Sequence, residues 1–175
     1  MTSSELARFE SVVLPYLDAA YTLARYLMRN EQDAQDVVQD AFLRALEYFD
    51  SFRGEEATSA RAWLLTIVRN TAYSRRRRQR DDALTTEFDE TQHSDAVADD
   101  NPEGALLQSA AKETLARALD RLAPEFREVI VLRELEGLSY KEISAVAGVP
   151  VGTVMSRLSR ARTRLQEVLR KEEGR

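Results

Sequence analysis

The sequence predicts an all-α protein made of two small helical domains joined by a flexible acidic linker. Three observations predict it. Apolar residues recur at helical spacing through most of the 175 residues. Residues 81–105 hold nine acidic groups, no basic group and few large apolar side chains, a composition that does not build a core. Near the C-terminus, a capped helix, a three-residue turn with glycine and a longer basic helix follow one another, the pattern of a helix-turn-helix. The expected organisation is a first domain over 1–80, a linker over 81–105 and a second domain over 106–175.

Residues 8–29 carry Val12, Val13, Tyr16, Leu17, Ala20, Leu23, Ala24, Leu27 and Met28 at one helical period. Asn30 breaks that pattern and is placed to cap the next helix, with Asp33 in its first turn. Residues 31–52 repeat the period with Ala34, Val38, Ala41, Phe42, Ala45, Phe49 and Phe52, and Gly54 stops it. After a polar loop, a third helix is expected from about Arg61 to Arg80. This half shows no β-alternation with turn dipeptides. In the linker, Asp81-Asp82, Asp99-Asp100, Pro102 and Gly104 disfavour regular packing. Fully extended, its residues would reach about 80 Å, comparable with two turns of duplex DNA at roughly 34 Å each.

Leu106, Leu107, Ala110, Leu115, Leu119 and Leu122 restore the helical period. Pro124 suits the first turn of a helix running to Leu135, which Gly137 ends. Ser139-Tyr-Lys-Glu142 is a capping-box pattern opening a helix to Ala147. Gly148-Val149-Pro150 makes the turn, and the last helix spans about Val151 to Leu169.

Composition narrows the function. The chain is 43% hydrophobic and has no cysteine, which excludes disulfides, thiol nucleophiles and cysteine-based zinc sites. Its single histidine, His93, lies in the linker and makes a Ser-His triad or a multi-histidine metal site a poor fit. No catalytic residue, metal or cofactor is expected, and the chain is not read as an enzyme. The longest apolar run, Ala62 to Val68, falls far short of the roughly 18 residues of a membrane span. The N-terminal Met-Thr-Ser-Ser-Glu lacks the basic and apolar regions of a secretory signal. A cytoplasmic protein without membrane insertion is the expectation.

The net charge of -5 conceals strong patterning. Residues 61–80 carry seven basic and no acidic groups, and residues 137–175 carry eight basic against four acidic. Residues 1–60 carry five basic against eleven acidic. Two positive islands therefore flank the negative linker. Because fields are felt within about 8 Å at physiological salt, an acidic average does not exclude a polyanionic partner.

Three surfaces follow. On the last helix, Val154, Leu158, Ala161, Leu165 and Val168 share the core side. Gly152, Thr153, Ser156, Ser159 and Arg160 lie opposite, flanked by Arg157 and Arg164. Small and hydroxyl residues let such a helix enter a major groove about 12 Å wide, and arginines fork onto guanine or phosphate. On the 61–80 helix, Leu64, Leu65, Val68 and Ala72 form the buried stripe. Trp63, Asn70, Tyr73 and Arg77 lie opposite, beside Arg69, Arg76 and Arg80. Rings, an amide and cations suit unpaired bases, although Trp63 is equally read as a core aromatic. Four consecutive arginines cannot share one helix face, so Arg75 is not assigned a contact. On the 31–52 helix, Asp33, Asp36, Asp40, Leu43 and Glu47 form an outer stripe with Gln39 at its margin. Such a stripe either docks on a basic partner or is simply solvated, and spacing alone favours solvation.

Taken together, these segments resemble bacterial sigma factors of the extracytoplasmic-function group (group 4), over nearly the whole chain. DAQDVVQDAFLRAL (33–46) is similar to the polymerase-clamp-binding signature of region 2.2. FRG (52–54) and AWLLTIVRNTAYSRRRR (62–78) are similar to regions 2.3 and 2.4, which open and read the minus-ten element. LAPEFREVIVLRELEGLSYKEIS (122–144) and VPVGTVMSRLSRARTRL (149–165) are similar to region 4, which reads the minus-thirty-five element.

The resemblance implies that Asp36, Gln39, Asp40 and Leu43 bind the beta-prime clamp helices of core RNA polymerase, which turns the acidic stripe into a docking face. It places Asn70 near the pocket for a flipped minus-ten base, with Phe52 and the 53–61 loop as the other wall. Trp63, Tyr73, Arg76 and Arg77 complete the minus-ten set. Thr153, Ser156, Arg157 and Arg160 match the minus-thirty-five helix. The linker is similar to family linkers that thread the polymerase RNA path. Promoter DNA, core polymerase and an anti-sigma factor are the implied partners, and the free factor is expected to be monomeric. No further domain is expected after Arg175. Met155 departs from the lysine or arginine of many relatives. The 53–61 loop looks slightly longer than theirs, so minus-ten specificity is not carried over. The helix-turn-helix alone would also suit a stand-alone transcriptional regulator. Such a regulator would dimerise on a palindromic site and leave 33–46 and 61–80 without a role.

Overall fold

A computed structural model describes residues 1–52, 57–85 and 104–174. Among them there are eight α-helices and no strand: α1 (Ser3–Val13), α2 (Leu17–Met28), α3 (Glu31–Glu47), α4 (Ala57–Thr85), α5 (Gly104–Asp120), α6 (Pro124–Ile130), α7 (Tyr140–Ala147) and α8 (Val151–Glu173).

The single helix expected over 8–29 is two helices. Pro15 lacks the N–H that would continue the ladder, and its ring clashes with the preceding turn. The chain passes Leu14–Tyr16 as a tight 3-10 turn and restarts as α2. Upstream, α1 begins earlier than the periodicity indicates, because Thr2 and Glu5 form a reciprocal capping box. Asn30 caps α3 as its sequence position foretells, accepting a hydrogen bond of 2.8 Å from the Asp33 amide. The third helix is longer than expected at both ends: α4 runs to Thr85, so the first residues assigned to the linker, Asp81 and Asp82, are helical. Linker residues 83–85 are also helical and 104–105 begin α5, while 86–103, with His93, lie outside the described residues.

The N-terminal bundle packs α2, α3 and α4 against one another. Leu23 and Leu27 of α2, Val37 and Ala41 of α3, and Leu64, Leu65 and Val68 of α4 are all buried. The four α4 positions assigned to its buried stripe, Ala72 included, are fully inaccessible.

In the C-terminal part, Pro124 occupies the first turn of α6. The helix expected to reach Leu135 is α-helical only to Ile130. From Val131 to Leu135 it widens into a π turn, in which the Glu136 amide donates to the Val131 carbonyl. Gly137 follows at φ 68°, and its amide closes on the Arg133 carbonyl at 3.2 Å. Ser139 and Glu142 form the expected capping box of α7. Ser139→Ala should cost about 1 kcal/mol of folding stability, read as a lower urea midpoint at unchanged slope. An unchanged midpoint would show that water replaces the cap.

The turn to α8 rests on Gly148, whose φ of 68° is left-handed. A glycine takes this conformation without the strain a Cβ would add. The Ser144 hydroxyl donates to the Val149 carbonyl at 2.6 Å, tying turn to helix. Val154, Leu158 and Ala161 anchor α8 on the core.

The two parts do not stand apart. Helix α6 packs on α2, and α7 packs on α4. The buried apolar residues of both form one connected cluster.

Candidate polymerase and nucleic-acid interfaces

Helix α3 presents its acidic stripe unevenly. Gln39, Leu43 and Glu47 face solvent, Leu43 being 60% exposed. Asp36 and Asp40 are half-buried. The N-terminal end of the stripe is already partnered, because Arg75 of α4 reaches Asp33 at 3.1 Å and Asp36 at 3.0 Å. Arg75 is thereby engaged inside the bundle. Burial raises the Asp33 pKa, but hydrogen bonds from Asn30, Gln79 and Arg75 outweigh it and hold the carboxyl below its ordinary value. The acids without an ion-pair partner among the described residues are Asp40 and Glu47, on either side of Leu43. A cavity of about 500 Å³ lined by Met1, Glu5, Leu43, Leu46, Glu47 and Asp50 opens beside them.

The residues assigned to minus-ten binding fall into two groups. Phe52 and Trp63 belong to an aromatic cluster, with ring centroids 4.9 Å apart. Phe49 stacks on Phe52 at 6.0 Å. Phe52 is buried and Trp63 half-buried, so the core role for Trp63 is realised at least on one side of its ring. Further along α4, Asn70 and Arg77 are exposed, whereas Tyr73 and Arg76 are half-buried. The guanidinium of Arg69 lies 4.3 Å from the Tyr73 ring centroid. Of the 53–61 loop expected as the other wall of the base pocket, residues 57–61 are instead the start of α4, and 53–56 lie outside the described residues.

Three residues that sequence reasoning left unassigned hold the two parts together. Glu128 of α6 is fully buried and accepts two hydrogen bonds from Arg69, at 2.9 and 3.4 Å. Burial raises the Glu128 pKa, an effect that Arg69 only partly offsets. Arg127, also fully buried, donates to the carbonyls of Leu119, Leu122 and Tyr26, each at 2.9 Å. Burial pulls its pKa down to about 10, which leaves it charged at neutral pH. Arg61 of α4 meets Glu142 at 3.3 Å and the Glu136 carbonyl at 3.2 Å. A buried charge demands a partner. The sequence shows these charges, but not which distant residue answers each.

Helix α8 is different: its outer face is free. Gly152, Ser156, Ser159 and Arg160 are exposed, and Thr153 and Arg157 are half-buried on the flank. The Arg164 guanidinium lies 4.6 Å from the Phe126 ring centroid and so links α8 to α6. Met155 is 53% exposed and adds an apolar contact to the face. The exposed hydroxyls and guanidinium follow directly on the α7–turn–α8 geometry, as groove entry requires.

These surfaces match known proteins along the chain. Residues 12–81 match the model of Sigma-70 region 2, and residues 112–165 match that of Sigma-70, region 4. The chain is 36% identical over 167 residues to the RNA polymerase sigma-H factor of Pseudomonas aeruginosa, covering 92% of this chain and 86% of that protein. It is also 40% identical over 136 residues to the ECF RNA polymerase sigma-E factor of Escherichia coli, covering 74% of this chain and 70% of that protein. The chain belongs to the extracytoplasmic-function RNA polymerase sigma factors. As a sigma factor, it directs promoter-specific transcription initiation. Against the ECF RNA polymerase sigma factor SigE of Mycolicibacterium smegmatis it is 37% identical, covering 93% of this chain and 62% of that protein.

Among solved structures, the sigma factor is similar to RpoE in complex with the anti-sigma factor NepR from Bartonella quintana. The TM-score is 0.72 at 32% identity, over 93% of this chain and 97% of that one. It is also similar to CnrH in complex with the cytosolic domain of CnrY, with a TM-score of 0.63 at 30% identity over 93% and 88% of the two chains. The matched families are those of transcription-initiation factors. Among the described residues, no helix is long and apolar enough to cross a membrane.

Proposed function

We propose a division of labour between three surfaces of a non-catalytic, cytoplasmic group 4 sigma factor that is monomeric when free. Residues 1–80 dock on core polymerase and take the minus-ten element, 106–175 hold the minus-thirty-five duplex, and the acidic 81–105 segment joins them. Asp36, Gln39, Asp40 and Leu43 meet the clamp helices. The exposed Leu43 supplies apolar contact and Asp40 the free charge, a combination suited to a basic partner. Asn70, Arg77 and the half-buried Tyr73 and Arg76 hold unpaired minus-ten DNA, with Phe52 and Trp63 buttressing them from the aromatic cluster. Thr153, Ser156, Arg157 and Arg160 read the minus-thirty-five element.

The observation that carries this reading is the open face of α8. Its polar side chains project outward from a helix that a glycine turn has set across α7, while its apolar stripe is buried. The relatives RpoE and CnrH were solved with NepR and with CnrY, the former named an anti-sigma factor, which supports an anti-sigma partner here as well. A stand-alone regulator would leave the region 2 match over 12–81 without a purpose.

Arg160→Ala should weaken minus-thirty-five-dependent initiation by about 1–3 kcal/mol if its guanidinium meets a base edge. The measurement is transcription from promoters with and without that element. Equal loss on both, or no loss, removes Arg160 from the reading face.

A further inference from the structure

The C-terminal helices lie against the very helix that the proposed function assigns to melted DNA. We propose that the Arg69–Glu128 pair is an interdomain latch, holding α6 and α7 over α4 in the free sigma factor until the two domains part. The proposal rests on the assignment of α4 to DNA for its consequence, but not for its geometry.

Glu128 has no solvent exposure, whereas the Arg69 side chain retains 21%. The pair closes over Tyr73, whose ring also carries the Arg69 guanidinium. A second pair, Arg61–Glu142, links α4 to α7 from the other end of the seam. In this closed arrangement Tyr73 and Arg76 are half-buried. One terminal nitrogen of Arg76 is buried without a hydrogen-bond partner among the described residues. A buried polar atom left unpaired is costly, and parting the domains would let water or a DNA backbone satisfy it. The seam therefore combines a specific ionic clasp with a group whose hydrogen bonding improves on opening. The exposed face of α8 is untouched by it, so the duplex-reading helix stays open while the α4 surface is covered.

The clasp works because each charge excuses the other. Without Arg69, the closed state buries the Glu128 carboxylate without its ion-pair partner and with only the Arg157 charge nearby, whereas the open state hydrates it. Without the Glu128 charge, Arg69 loses the only ion pair formed by it among the described residues.

The absence of cysteine allows clean double labelling. Gln35→Cys on α3 and Glu167→Cys on α8, both exposed, carry nitroxides in the full chain without polymerase. Pulsed electron paramagnetic resonance should give one narrow distance population for the parent. Arg69→Gln and Glu128→Gln should each raise the long-distance population about tenfold or more, and Arg61→Gln less. Circular dichroism melting identifies a variant that fails to fold, and either folded variant suffices for the distance measurement. An unchanged distance distribution in a folded variant overturns the latch. Anisotropy with fluorescein-labelled oligo(dT) then tests the consequence, since stacking and backbone contacts tolerate sequence. Binding about tenfold tighter for Glu128→Gln supports autoinhibition of α4. Domains that part without any gain in single-strand binding overturn the assignment of α4 to DNA and leave the latch standing.

Discussion

Asp40→Lys should lower the affinity for core RNA polymerase about 30-fold or more while leaving the melting curve unchanged. The reasoning starts from what the rest of the acidic stripe does. Asp33 and Asp36 are held by Arg75, so their charge is largely spent inside the bundle. Asp40 has no ion-pair partner among the described residues and sits one turn from the exposed Leu43. Reversing its charge against a basic partner places like charges together, which costs several kcal/mol. At about 1.4 kcal/mol per decade, a loss of about 2–3 kcal/mol gives the stated change. Asp33→Lys makes a useful contrast, because it should destabilise the fold through Arg75 and Gln79. Titration of labelled sigma factor with purified core polymerase reads the difference. Wild-type affinity in Asp40→Lys would reduce the stripe to a solvated face.

Arg127→Ala should cost about 3–5 kcal/mol of stability, the scale of a broken buried charge network. The guanidinium is inaccessible to water and ties the α5–α6 corner to itself and to the Tyr26 carbonyl of α2. Truncation strands those carbonyls in a dry site, at about 1–3 kcal/mol for each group left unpaired. For a chain of this size the melting temperature should fall by about 6–20 °C. Arg127→Lys should recover only part of it, since an ammonium cannot reproduce the planar fork. A variant melting within about 2 °C of the parent would show that water fills the site and serves the carbonyls.

Much of the fold is legible locally. Asn30, Ser139, Pro124, Gly137 and Gly148 act through neighbours within a few residues, so their caps and turns follow from spacing. The buried stripes of α4 and α8 follow for the same reason. Pro15 was equally visible, and the apolar period around it masked the break it imposes. The π turn at Val131–Leu135 leaves no such mark, because one extra residue in a turn barely disturbs apolar spacing. The site is legible in its chemistry and less so in its state. Exposed Ser156, Ser159 and Arg160 follow from periodicity. The Glu128 partner of Arg69, the Asp33 and Asp36 partners of Arg75 and the Tyr26 carbonyl that Arg127 reaches do not, since each lies tens of residues away and is fixed by tertiary packing. That packing is why Tyr73 and Arg76, read as an open face, are half-covered.

The most direct test adds the purified chain to core RNA polymerase on a fragmented genome and maps the transcript starts by sequencing. The account predicts a stable complex and a new set of start sites sharing elements near minus ten and minus thirty-five. Failure to join the polymerase, or joining it without any new start-site preference, would contradict the account.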